Sequence, residues 1–182
     1  MRKALDTLYR ASGIVAAVFL LAIAVTVLIQ VGLNILDRIA VALTGTAVGL
    51  TLPSYAEFTG YFLTASTFFA GAYALKAGAH IRVTLVLQRL SPEARRRSEL
   101  VCAVIGAVFA AYFTGWVGLL AWESWVFGDV SPGIVPVPIW IPQLSMVIGL
   151  LILTIALIDE AVVIARSGTP GRGAACDDDL AR

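Results

Sequence analysis

Few residues in this chain could carry out chemistry, and their spacing argues against most of it. There is one histidine, His80, and there are two cysteines, Cys102 and Cys176. A haem held between helices calls for paired histidines, and a thiol redox couple calls for juxtaposed cysteines; neither pattern is present. His80 could in principle join a serine as a dyad, but it stands two residues from Arg82 in a basic stretch, which favours a structural role. No cluster with metal-ligand spacing, no phosphate loop and no nucleophile elbow occurs. The reading is therefore a non-enzyme with no catalytic residue, no cofactor and no metal. The polar residues that remain lie inside or beside apolar runs. Thr26, Gln30 and Asn34 recur every fourth residue, Glu57 opens a second run, and Asp159 and Glu160 sit near the end of a fourth. An amide in lipid needs a partner because an unmet polar group there is costly. Gln30 and Asn34 thus imply a bond within a bundle, a contact between subunits, or a substrate path.

The elements that would position these groups follow from composition. Of 182 residues, 59% are hydrophobic and only 14% charged, with a mean hydropathy of +0.90. A water-soluble domain of this size cannot hide that much apolar surface. Four runs, at about Ser12–Leu36, Tyr55–Ala79, Ser98–Trp122 and Ile141–Ala165, each supply the roughly 20 helical residues needed to cross a bilayer. Backbone groups in lipid must pair within the segment, so the expected fold is an all-α integral membrane protein with four transmembrane helices. Twelve of the 13 Lys and Arg residues fall at the termini or from the end of the second run, at Lys76, to the start of the third, and only Arg38 lies in the first loop. The positive-inside rule then places both termini in the cytoplasm. The basic amino-terminal segment is read as leading into an uncleaved first helix. Residues 1–166 form the membrane domain, and residues 167–182, with the Asp177–Asp179 run, read as a disordered cytoplasmic tail.

Packing signals are clearest in the third run. Ala103, Gly106, Ala107, Ala110, Ala111, Thr114, Gly115 and Gly118 form a small face, and Gly60, Thr64, Thr67, Gly71 and Ala74 repeat the idea in the second. Small faces let helices approach closely in lipid. They predict either packing of these two helices against each other or docking of a partner. Between them, Val83, Val86, Leu87 and Leu90 share one face while Arg82 and Arg89 share another, an amphipathic connector suited to the inner headgroup layer. Ser91-Pro92-Glu93 reads as a helix start. Arg89, Arg95, Arg96 and Arg97 would then lie at the membrane surface, where anionic lipid suffices as partner without nucleic acid. Asp159 and Glu160 read as solvated or arginine-paired, with the arginines at 95–97 as the expected partners, in preference to a buried ion-coupling carboxylate. The proline-rich stretch from Ser131 to Pro142, flanked by Trp122, Trp125 and Trp140, predicts a stiff outer loop, either a rigid turn with aromatic anchors or a docking surface.

The stretch Gly71-Ala-Tyr-Ala-Leu-Lys76-Ala-Gly-Ala-His80-Ile-Arg82-Val83 resembles the small integral membrane subunit, DctQ-type, of tripartite ATP-independent periplasmic (TRAP) transporters. Glu57 two residues after Tyr55, Asn34 with Arg38, Ser131-Pro132-Gly133, and Pro138-Ile-Trp140-Ile-Pro142 are similar to further positions of that family. The chain departs from it in having Ala56-Glu57 where two acids are common, Thr84 where an acid is common, and a long Gly/Thr-rich loop from Asp37 to Ser54. The resemblance implies a bacterial inner-membrane subunit that does not itself move substrate. A large TRAP membrane subunit would carry the sodium and substrate sites, and a periplasmic substrate-binding protein would deliver an organic acid. Glu57, His80 and Arg82 would be structural or interface residues. Leu at Gly106 or Gly115 is expected to disrupt assembly. The rival reading is a self-sufficient, homo-oligomeric four-helix carrier or channel with Gln30, Asn34 and Glu57 along a pore.

Overall fold

The computed structural model describes residues 2–78 and 91–167. His80, Arg82, Arg89, the expected connector and the expected disordered tail lie outside these described residues. Four helices account for most of the rest: α1 (Arg2–Thr44), α2 (Tyr55–Lys76), α3 (Pro92–Phe127) and α4 (Trp140–Ser167). Among the described residues no strand forms; an isolated bridge between Val130 and Pro138 closes the outer loop.

The helix ends follow local chemistry. The Ser91 side chain accepts a hydrogen bond from Ala94 N–H at 3.3 Å, with Pro92 behind it and Glu93 in the first turn. This satisfies an amide that the helix itself cannot. At the other end, Gly128 takes φ 68° and its N–H bonds Ser124 O, the left-handed stop that glycine permits without strain. Ser54, by contrast, is a non-glycine residue at φ 55° just before α2.

Length and composition make α1, α3 and α4 long and apolar enough to cross a membrane. The 22 residues of α2 also have the length, since a helix rises about 1.5 Å per residue. Its threonines, glycines and tyrosines leave it the less apolar helix. Where the sequence predicts four equivalent spans, three stand out by composition and the fourth is distinguished by its surroundings.

Those surroundings are central. The helices form a row in which α1 packs on α2, α2 on α4 and α4 on α3, with slight contact between α1 and α4. The expected pairing of α2 with α3 is replaced by insertion of α4 between them. The reason lies at Gly149 of α4, where an added Cβ would fall 2.7 Å from Phe68 of α2. That close approach of backbones gives α4 the inner seat. Gly71 then meets the Leu153 side chain of α4. On the other side of α4, the small face of α3 is used in part. Ala103 and Ala110 are buried, a Cβ on Gly106 would touch Leu157 at 3.5 Å, and Thr114 lies 3.4 Å from Thr154. Gly115 and Gly118 have open space around them, so Gly115 takes no part in packing within the chain.

The α1–α2 seam is held by contact and by hydroxyls. Gly13 abuts the Tyr73 ring, Phe19 meets Phe62 and Phe69, Ser66 donates to Ala16 O at 3.1 Å and Ser12 donates to Phe69 O. Each such interhelical bond in lipid contributes about 0.6 kcal/mol. The buried core gathers toward one end, around Tyr9, Ala72, Leu75, Ile152 and Ala156.

Candidate functional site: two polar clasps on the second helix

The polar side chains collect at the two ends of α2. At its start, Glu57 lies in the first turn, where a carboxylate is favoured by the helix dipole. Ser131 of the outer loop donates to Glu57 Oε2 at 3.1 Å and accepts from Val137 N–H at 3.2 Å. Ser131 is itself buried. Its backbone N–H bonds Val137 O at 2.8 Å, and Ile139 N–H bonds Asp129 O at 3.0 Å, so the loop is a short closed ribbon. A second tie runs from Val135 N–H to the Ser54 hydroxyl at 3.1 Å. The Glu57 carboxylate presses on the backbone of Gly133 so closely that a Cβ there would have no room. A side chain at position 133 would have to displace the carboxylate, the mobile end of Glu57, from this seat. Trp125 and Trp140 brace the base of the loop in an edge-to-face pair, centroids 4.7 Å apart.

The first outer loop is fastened by the same means. Asp37 accepts from Val48 N–H and Gly49 N–H, both at 2.8 Å. Gln30 accepts from Leu52 N–H at 2.8 Å through its carbonyl and donates to Asn34 Oδ1 at 3.3 Å. Gln30 is buried. Thr26 bonds Ala22 O of its own helix. Of the residues the sequence lined up, Gln30 and Asn34 meet each other and Gln30 meets a loop; Glu57 belongs to a different cluster and joins neither.

The far end of α2 carries the second clasp. Lys76 Nζ stands 2.8 Å from Asp159 Oδ2 of α4 and 5.4 Å from the centre of the Tyr9 ring of α1. One cation thereby touches both helices that flank its own. Asp159 was expected to meet the arginines at 95–97, and its partner is Lys76. Those arginines act elsewhere: Arg96 donates to Ala165 O at 2.6 Å, Arg95 pairs with Glu99 at 3.4 Å, and Arg97 stands 3.9 Å from Glu93. Glu160, next to Asp159, is fully buried. Among the described residues, no group of three or more His, Cys, Asp or Glu side chains is placed to hold a metal ion.

Sequence reasoning singled out Glu57, Gln30 and Asn34, and missed Ser54, Ser131, Asp37 and Lys76 as their partners or counterparts. A signal existed for Ser131: a small hydroxyl directly before Pro132-Gly133 in an otherwise apolar loop. The tie between Lys76 and Asp159 spans 83 positions and follows only from the helix order.

The geometry is that of a brace: every clasp joins a helix to a loop or to another helix. Residues 39–167 match the family model for tripartite ATP-independent periplasmic transporters, DctQ component. The chain belongs to the DctQ family. The match takes in α2, α3, α4, the Glu57 clasp and the Lys76–Asp159 pair, and leaves most of α1, Tyr9 included, outside it. A comparison with curated proteins gave no match. With its apolar helices, this DctQ-family chain is a multi-pass membrane protein.

Proposed function

We propose that this DctQ-family chain is the small scaffold subunit of a TRAP-type secondary transporter. It supports sodium-coupled uptake of an organic acid by a larger membrane subunit fed by a periplasmic binding protein. It sits in the bacterial inner membrane with four spans, both termini and the connector on the cytoplasmic side. The observation that carries the reading is the use of its polar groups. Glu57, Gln30, Asp37 and Lys76 bond loops and neighbouring helices, an arrangement that stiffens a platform. A carrier acting alone would instead be expected to gather such groups along one aqueous path. Broad apolar faces also remain uncovered on α1 and α3, for example at Leu28, Phe109 and Trp116; in a scaffold these meet lipid and the larger subunit.

The test is extraction of the tagged chain from native membranes in mild detergent, with mass spectrometry of what co-purifies. A stoichiometric, much larger polytopic protein is the expected result. Self-association alone, together with solute uptake by the reconstituted chain, would overturn the scaffold reading.

A further inference from the structure

On one side of the α3–α4 seam runs an open groove of about 430 Å³, lined by Val104, Ala107 and Ala111 of α3 and Ile158, Ala161 and Ala165 of α4. Its wall is apolar, and the small alanine side chains leave room along the seam for a hydrocarbon chain. From position 104 to 111 it follows α3 for about 10 Å. At the end where α3 begins and α4 finishes, the groove reaches a basic cluster. Arg97 precedes Val104 by one heptad, which places it within roughly 20° of the same helical stripe. Arg166 follows Ala165, one turn beyond Val162 of the groove wall. Arg96 bridges the two helices at the groove end through its 2.6 Å bond to Ala165 O. Arg97 and Arg166 are exposed, and the 3.9 Å approach of the equally exposed Glu93 to Arg97 is too loose and too wet to neutralise it. Near this end of the seam stand Arg95, Arg96, Arg97 and Arg166 with Glu93 and Glu99; the acids of α4 there are Asp159, paired with Lys76, and the fully buried Glu160.

An apolar slot that ends at the exposed arginines 97 and 166 is complementary to a molecule with an anionic head and a hydrocarbon tail. We propose that the α3–α4 groove is a binding site for one anionic diacyl phospholipid. The phosphate meets Arg97 and Arg166, and an acyl chain lies along Ala107, Ala111 and Ala161. The assignment needs only a membrane-embedded chain and holds whether or not the chain acts as a scaffold. A lipid seated there fills the gap beside the α3–α4 seam and ties the edge helix α3 to the row.

The test is native mass spectrometry of the full-length chain released from mild detergent after addition of phosphatidylglycerol or phosphatidylcholine with identical acyl chains. Phosphatidylglycerol is expected to remain as a discrete adduct while phosphatidylcholine is lost. The double variant Arg97→Gln/Arg166→Gln should weaken the phosphatidylglycerol adduct by roughly tenfold or more, the order set by two surface basic contacts. Ala161→Phe, which fills the groove without touching charge, should likewise reduce retention of phosphatidylglycerol. Unchanged helicity by circular dichroism verifies that the variants are folded. Equal retention of the two lipids by the wild type, or unaltered retention by both variants, would overturn the proposal. So would displacement of the adduct by inorganic phosphate alone, which would reduce the site to its arginines. Loss of a co-purifying membrane protein from Ala161→Phe with lipid retention intact would assign the groove to that protein and overturn it equally.

Discussion

Glu57 shows how one side chain organises a whole loop. Its carboxylate takes the Ser131 hydroxyl, which in turn takes Val137 N–H, so a single substitution removes an anchor from a relay. A hydrogen bond to a charged group contributes about 1.5–3 kcal/mol, and opening of the loop should become correspondingly easier. Glu57→Ala is expected to speed amide hydrogen exchange at Val135 and Val137 by roughly tenfold, with Glu57→Gln intermediate because its amide oxygen still accepts. Mass-spectrometric exchange over residues 129–139 reads this directly, and unchanged protection in Glu57→Ala would refute the relay. Lys76 and Asp159 make a comparable pair, about a fifth exposed on each side. Removing either partner alone strands a charge, whereas removing both does not. Lys76→Met and Asp159→Leu should therefore each lower thermal stability in detergent, and the double variant should recover part of the loss. Additive losses would mean that the pair is not coupled. The importance of Glu57 was legible through the family resemblance, which places an acid shortly after an aromatic residue, here Tyr55, at the start of the second run. Its partner was not, because Ser131 is 74 positions away and nothing local joins them.

At the scale of helices, glycine decides which surfaces meet, and only some glycines do so. The small face of α3 was legible as a pattern, yet a pattern does not name its partner. Small residues on α2 and α3 suggested that these two helices pair, while the structure seats α4 between them through Gly149 and Phe68. Gly149 is an isolated glycine in the sequence, without the i+4 repeat that drew attention to Gly106 and Gly115, and so its role emerges only from the backbone approach. Gly149→Val should force α2 and α4 apart and lose folded, monodisperse protein on size-exclusion chromatography. Overpacking of a tight contact costs about 1–3 kcal/mol. Gly115→Leu meets open space and should leave the isolated chain as stable as the wild type. Any loss of a co-purifying subunit in that variant would then report an external contact. Equal damage from the two substitutions would contradict the helix order.

For the molecule as a whole, the spacing of charged or interfacial aromatic residues near the helix ends matches a bilayer in three helices and falls short in the fourth. Arg10 to Asp37 on α1, Arg97 to Glu123 on α3, and Trp140 to Arg166 on α4 each cover about 40 Å, close to the full thickness of a membrane with its headgroups. Glu57 to Lys76 on α2 covers only about 28 Å, near the hydrocarbon thickness alone. Both end charges of α2 therefore fall where water is scarce, which explains why each is bonded to protein: Glu57 to Ser131 and Lys76 to Asp159. The same register sets the clasps on opposite faces of the membrane, the Glu57 clasp outside and the Lys76 clasp inside, if the basic residues fix orientation. That assignment is open to a direct test in a background with Cys102→Ser and Cys176→Ser. Ile134→Cys sits at the tip of the outer loop, 83% exposed, and Arg97→Cys sits at the exposed start of α3. In right-side-out vesicles a membrane-impermeant maleimide should label Ile134→Cys at once and Arg97→Cys only after permeabilisation. Labelling in the reverse order would invert the topology, and simultaneous labelling would show that α3 does not cross the membrane. The first outcome alone places Arg97 and Arg166 in the cytoplasmic leaflet, where anionic lipid is available to meet them.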